Sequence, residues 1–397
     1  MKKEAGIKIS DFFVTEAIPE AAEASMNQYL RSGQLFRYSE GISEVARLEN
    51  DFADYMGMRF ALAVNSCSSA IFLSLLSVGV RPGDKVIVPA FTFGAVPSAV
   101  VHTGATPVLV EVGDNYRVDI EDFRKKMNVG IKAVVISHMR GHTSDMDIIL
   151  KMCSDWNVPV IEDAAHSLGA TWSGRKVGSM GKVGCFSFQS YKLLNGGEGG
   201  ILVTDDQDII AKAVIMSGAY EKNWQRHSCA DRIFEKYENV LPLYNMRLSN
   251  LSAVVIRSQI PFIDERVQKG LDKIDFLKKM LKNCPLISIP EVDKRERQAP
   301  DSIQFNLNGF SDAEMRQFMS LVRERGVSLY VFGLHEGNAR VFWNWKFIGN
   351  IPELPKTRSM LIKACDIRIP LTFGEDKIRT IANIVVKSIY DIRQKVE

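Results

Sequence analysis

The chain has 397 residues, 46% hydrophobic and 24% charged, with a formal net charge of +3. That length exceeds one minimal core and predicts two domains, and a small charge without a basic block gives no ground for a nucleic-acid or acidic-membrane partner. The six cysteines, Cys67, Cys153, Cys185, Cys229, Cys284 and Cys365, contain no C-x-x-C pair, so they read as reduced thiols rather than as a disulfide or zinc framework. The charged opening Met1-Lys2-Lys3-Glu4 is followed by no apolar core of a secretory signal. The uncharged run Val86–Val110 carries Pro89, Pro97 and Pro107 and does not read as a spanning helix, so a cytoplasmic location is expected.

Residues 1 to about 20 are expected to form an arm, followed by helices over Ala21–Leu30 and Ser43–Tyr55, the second with Val45, Leu48, Phe52 and Tyr55 at helical spacing. Phe60–Val64 is a short buried strand ending in Asn65-Ser66-Cys67-Ser68-Ser69, before an apolar helix expected from Ala70. Small hydroxyl residues in that position serve either as helix caps or, with the free N–H groups and positive dipole end, as an anion site. Strands at Val86–Val88, Val108–Val110, Ala133–Ile136 and Pro159–Ile161, the last running into Glu162-Asp163, alternate with helical segments such as Gly94–His102. That alternation predicts a mostly parallel sheet with helices on both faces. Ligands of such sheets bind at the carboxyl ends of the strands, where Ser68, Phe93, His138, Asp163 and Ser187 all fall.

Beyond Ile201–Thr204 and a helix to about Met216, the polar and aromatic segment 217–247 is expected to be a long functional or interface loop. A helix is predicted from Asn250 to Ile263, and a second domain from about residue 266, opening on a helix to Lys282. That domain holds a strand at Ser302–Phe305 and a helix headed by the capping box Ser311–Glu314, which buries Met315, Phe318, Met319 and Val322. Its last helix carries the core stripe Ile378, Ile381, Val385, Ile389 and Ile392. The expected organisation is an arm over 1–20, a large domain over 21–265 and a small domain over 266–397.

The run Gly184–Gly200 is the most unusual stretch. A β-type segment, Cys185–Phe188, leads into a polar turn that holds Lys192, after which Gly196, Gly197, Gly199 and Gly200 surround Glu198. Glycine is used where backbone takes positive φ or approaches another group closely. A desolvated lysine among such residues is a candidate for imine chemistry, with a structural turn as the plainer alternative. Pyridoxal phosphate requires a lysine, a carboxylate opposite the ring nitrogen, a phosphate cradle and a flat cover. Lys192, Asp163, Ser68 with Ser69 and Ser187, and Phe93 could supply these in that order, although Asp163 could equally cap a helix and Phe93 could be core.

Several motifs in this order resemble the DegT–DnrJ–StrS aminotransferases over roughly residues 20 to 375: Arg81–Pro89, Gly104–Val108, Asp145-Met146-Asp147, Ile161–Ala170 and the lysine stretch ending Gly197–Gly200. The resemblance implies the α/β, aspartate aminotransferase-like type I fold of pyridoxal-phosphate transferases, with a smaller C-terminal α+β domain. It implies Lys192 as the lysine that holds the cofactor, Asp163 at the ring nitrogen, His166 near the ring hydroxyl and Phe93 as the stacking aromatic. Ser68, Ser69 and Ser187 match phosphate-binding positions, with Cys67 where glycine is common. Asn245, in Asn245–Ser249, matches an asparagine that reaches the phosphate of a neighbouring subunit, which implies a homodimer with shared active sites. The implied activity is ping-pong transfer of an amino group from glutamate or glutamine to a keto sugar, usually nucleotide-linked, or to a related cyclic ketone.

The chain departs from the family where substrate is recognised. His138–Thr143 carries Arg140 and lacks the usual proline, Gly333-Leu334-His335-Glu336 matches only in part, and Asn338–Trp345 is basic and aromatic. Arg140, Arg247, Arg340 and His335 are the candidate substrate contacts, the arginines toward a carboxylate or diphosphate or else as ordinary surface or interface pairs. A non-catalytic regulatory protein on the same fold is the competing class, and other chemistry by the same cofactor on a non-sugar substrate is a further alternative. The intact Lys192–Asp163 pair argues against a pure binding role, which needs no electron sink.

Overall fold

In the computed structural model, which describes residues 6–39, 43–128 and 130–394, seven strands form one sheet in the order β1-β9-β8-β5-β4-β2-β3. They are β1 (Phe60–Val64), β2 (Lys85–Pro89), β3 (Thr106–Val110), β4 (Ile131–Ser137), β5 (Val160–Asp163), β8 (Val183–Ser187) and β9 (Gly200–Thr204). A hairpin of β6 (Thr171–Trp172) and β7 (Arg175–Lys176) lies between β5 and β8 in sequence and pairs with β11 (Glu296–Arg297) in a small sheet. Only β9 runs against the other six strands of the large sheet.

The strands read as apolar runs because both faces are covered. Leu62 and Val64 pack with helices Cys67–Ser77 and Gln207–Met216 on one side, whereas Ala61 and Ala63 pack with helices Glu44–Met56 and Asn250–Arg257 on the other.

A second, antiparallel sheet has the order β10-β12-β14-β13, with β10 (Ile287–Ser288), β12 (Ile303–Leu307), β13 (Leu329–Val331) and β14 (Ala364–Ile367). Phe305, Cys365 and Ile367 share its core with Phe318 of helix Asp312–Glu324 and Ile381 of helix Glu375–Arg393. Ile7 and Phe12 of the N-terminal segment pack into the same core, Phe12 lying edge-on to Phe373 at 5.2 Å. Residues 1–5 of the expected arm and 395–397 of the expected small domain lie outside the described residues.

Several elements differ from the sequence expectation. The helix expected from Ala70 starts at Cys67, because Ser66 caps it by accepting the Ser69 N–H at 3.1 Å. Ser68 and Ser69 therefore sit in its first turn rather than before it. The helix expected to run to Ile263 stops at Arg257, and a short 3-10 turn holding Pro261 separates it from helix Ile263–Leu281. That second helix gives Ile263 and Val267 to the large-sheet core and Ile274, Leu277 and Leu281 to the other. The 217–247 segment holds two 3-10 turns, Asn223–Arg226 and Arg232–Lys236, whose buried Trp224 and Phe234 stack at 5.6 Å. Met319 is only partly buried. Among the described residues no helix is long and apolar enough to cross a membrane.

Candidate active site

The parallel strands end on one edge of the large sheet, and β9, being reversed, begins there. A cavity of about 460 Å³ opens at that edge, lined by Cys67, Ser68, Phe93, Asp163, Ser187 and Lys192 among others. The sequence thus places an amine, a carboxylate and a helix start around one space.

Lys192 sits in the turn after β8, where its N–H donates to Gln189 O at 2.8 Å and Gly197 adopts φ +75. Its Nζ lies 3.0 Å from His166 Nε2. Burial lowers the Lys192 pKa to about 8, with Asp301 and Asp163 opposing the shift and Arg140 and Arg340 adding to it. The amine is therefore much closer to its neutral, nucleophilic form at neutral pH than an exposed lysine would be.

Asp163 ends β5 and is buried. Its Oδ2 accepts from Ser137 Oγ at 2.8 Å, its Oδ1 accepts from the Ala165 N–H at 3.2 Å, and Thr92 Oγ1 lies 2.6 Å from the same Ser137 hydroxyl. These bonds fix the carboxylate at the cavity floor with charge-assisted donors.

At the far wall, the first turn of helix Cys67–Ser77 faces the cavity, and the exposed Ser68 lies on its lining. A helix start presents N–H groups without intrahelical partners and a positive dipole end. A Cβ on Gly200 would stand 2.3 Å from Ser66 C and 2.4 Å from Cys67 N, so only glycine lets β9 begin against this turn. Ser187 also lines the cavity. The Ser69 hydroxyl instead lies 2.6 Å from Asn65 Oδ1 and is not part of the lining. Phe93 leaves 44% of its surface exposed at the cavity, unusual for a phenylalanine and suited to covering a flat ring.

The wall opposite is built by residues from the second sheet and its approaches. Asp301 Oδ1 lies 2.9 Å from His166 Nδ1, Asp301 Oδ2 accepts from Arg140 at 2.7 Å, and Arg140 also donates to Asp366 at 2.8 Å. Burial lowers the His166 pKa to about 3 despite Asp301, while His166 and Arg140 hold the Asp301 carboxyl well below its ordinary value against burial. A neutral His166 therefore donates from Nδ1 to Asp301 and accepts at Nε2 from Lys192. Arg140 lines the cavity, but its guanidinium is committed to two carboxylates.

Arg340 differs in that, among the described residues, it is in no ion pair. It lines the cavity 5.5 Å from the Phe93 ring centroid, and its Nε, like that of Arg140, is buried without a hydrogen-bond partner. Burial and Arg140 lower its pKa to about 10.

Besides Ser69, three residues from the sequence list lie away from this lining. Asn245 is exposed, Arg247 donates to Gly218 O at 2.9 Å beneath Phe36 and Tyr220, and the exposed His335 packs edge-on to Tyr330 at 5.2 Å. His138, expected at the site as a strand-end residue, turns the other way and meets buried Glu162 at 3.0 Å. Asp301, Ser137, Thr92 and Arg368 were not anticipated. Ser137 lies at a strand end and was open to the same logic as Asp163, whereas no local pattern marks Asp301 or Arg368.

The sequence model of the DegT/DnrJ/EryC1/StrS aminotransferase family matches residues 16–386. The chain belongs to that family. It is 35% identical over 262 residues to spore coat polysaccharide biosynthesis protein SpsC of Bacillus subtilis (strain 168), covering 65% of this chain and 64% of that protein. It is also 35% identical over 225 residues to GDP-perosamine synthase of Caulobacter vibrioides, covering 56% of this chain and 58% of that one. Each alignment thus spans less than two thirds of the relative's length. The solved structure of 3-amino-5-hydroxybenzoic acid synthase, 27% identical, superimposes with a TM-score of 0.81 over 95% of this chain and 99% of that one. The fold is that of this family's aminotransferases, whose cofactor is pyridoxal phosphate, and the cavity's amine, carboxylate, helix start and exposed aromatic ring fit that cofactor.

Proposed function

We propose that this chain is a pyridoxal-phosphate aminotransferase that moves an amino group from glutamate or glutamine to a keto sugar, nucleotide-linked, or to a related cyclic ketone. The observation that carries this is Lys192 and Asp163 facing one cavity, the lysine's pKa lowered to about 8 by burial. The names of the sugar-nucleotide and aminohydroxybenzoate synthases above support a cyclic carbonyl acceptor.

Lys192 would hold the cofactor and Asp163 would keep its ring nitrogen protonated. Ser68, Ser187 and the free N–H groups of Cys67 and Ser68 would bind its phosphate, with Ser69 bracing the turn through Asn65. Phe93 would cover the ring, and His166 would meet its hydroxyl. When bound, the cofactor draws off the electron pair left on the substrate carbon as its proton is removed. Lys192 Nζ is the group placed to take that proton and return it, acting as general base and then general acid. His166, neutral and fixed by Asp301, gives Lys192 a proton acceptor without placing a second cation beside it. Arg340, a cavity-lining cation without a carboxylate partner among the described residues, would meet an anionic substrate group. Arg140, Arg247 and His335 serve in this scheme as supports of the surrounding wall and surface.

We take the working unit to be a cytoplasmic homodimer in which Asn245 reaches a neighbouring subunit's phosphate site. Asn245's exposure away from its own chain's cavity supports that, as do the exposed apolar residues Leu30, Leu35, Phe36, Val240 and Leu243.

The test is the donor half-reaction. Protein loaded with pyridoxal phosphate should release a 2-oxo acid from glutamate or glutamine, with a change in the cofactor's visible absorbance, and then aminate members of a panel of keto sugars. No 2-oxo acid from any amino acid would favour the binding-protein alternative.

A further inference from the structure

Away from the cavity, four ionisable side chains meet where β1 passes the 217–247 segment. Cys229 Sγ lies 3.1 Å from His227 Nδ1, and His227 Nε2 lies 3.2 Å from Glu49 Oε2 in an ionic contact. Glu49 also accepts from Arg37 at 2.8 and 3.0 Å and from the Ala63 N–H at 2.8 Å. Arg37, Glu49 and His227 are all buried.

The order of these groups sets the direction of proton movement. The Cys229 N–H donates to Nδ1 at 3.3 Å, so Nδ1 is the acceptor of a neutral His227 and faces the thiol, while the protonated Nε2 lies beside Glu49 without a hydrogen-bond partner. Transfer of the thiol proton to Nδ1 makes an imidazolium braced by Glu49 beside a thiolate, which leaves the net charge of the cluster unchanged. Burial alone would lower the His227 pKa, but Cys229 and Glu49 outweigh it and raise the value to about 9. The other five cysteines are buried, and Cys229 alone is partly exposed. Burial pushes the Cys153 thiol up to about 12 and Cys67 well above its ordinary value, so neither competes as a thiolate.

We propose that Cys229 is a modification site, a thiolate formed by proton transfer to His227 and braced through Glu49, that reacts with hydroperoxides. In that step the sulfur attacks the terminal peroxide oxygen, the S–O bond forming as the O–O bond breaks. The sulfur is oxidised to sulfenic acid and the other oxygen is reduced. The departing alkoxide or hydroxide takes the Nδ1 proton from His227 and leaves as alcohol or water.

The test uses the full chain loaded with pyridoxal phosphate. Hydrogen peroxide followed by dimedone, with peptide mass spectrometry, should label Cys229 before any other cysteine. Iodoacetamide at neutral pH should alkylate Cys229 faster in the native protein than in the urea-unfolded chain, where the thiol is ordinary. His227→Asn should slow that alkylation about tenfold or more, and Cys229→Ser should remove the label while leaving the cofactor absorbance intact. A native rate equal to or below the unfolded rate overturns the proposal whether or not the histidine variant folds. An unchanged rate in a folded His227→Asn variant does the same.

Discussion

His166 Nδ1 and Asp301 Oδ1 stand 2.9 Å apart, joining the strand-end edge of the large sheet to the segment that leads into β12. The contact decides which nitrogen of His166 faces Lys192, and Asp301 also raises the lysine's pKa against the lowering by burial. Because the lowered value is about 8, the amine is mostly charged below that pH and neutral above it. Capture of pyridoxal phosphate, followed by its visible absorbance, should therefore accelerate as pH rises and level off above about 8. Asp301→Asn removes a negative charge that favours the ammonium, so the midpoint should move down by about 1 unit. An unmoved midpoint in a folded variant would show that Asp301 does not act on the lysine.

Ser137→Ala tests the support of Asp163. The variant deletes a 2.8 Å bond to a buried carboxylate and leaves Thr92 without its nearest hydroxyl partner. Hydrogen bonds to charged groups contribute about 1.5–3 kcal/mol, so kcat/KM should fall roughly 10- to 100-fold. Thermal melting, run alongside, separates this from simple unfolding.

Arg340→Met should separate stability from function. Among the described residues Arg340 forms no ion pair, and burial lowers its pKa against the opposing pull of Asp366 and Asp301; burying a cation without a direct partner is costly. Replacing it with an apolar side chain of similar length should raise Tm by about 2 °C and weaken affinity for the anionic substrate about tenfold or more. A loss of stability together with unchanged substrate affinity would assign Arg340 to packing.

The fold was legible because its signals are local and repeated. Runs such as Phe60–Val64 and Cys185–Phe188 announce buried strands, the second observed as Val183–Ser187, and the lysine turn between β8 and β9 is flanked by glycines whose crowding has a steric cause at Gly200. Asp163 and Phe93 were found by the rule that binding residues gather at strand ends. The same rule misplaced His138, because a residue just past a strand can turn to either side, and here buried Glu162 draws it away. Asp301 and Arg368 were invisible because they reach the cavity from the other sheet, and only tertiary packing brings them there. The early start of helix Cys67–Ser77 was missed because any of several neighbouring serines could cap it, and only the structure shows that Ser66 does.

The most direct measurement maps the cofactor's attachment. Protein incubated with pyridoxal phosphate, reduced with borohydride and digested should carry the cofactor's mass on the peptide containing Lys192, and Lys192→Ala should remain folded without that mass or the visible band. Attachment at a different lysine, or retained transamination by Lys192→Ala, would contradict the account.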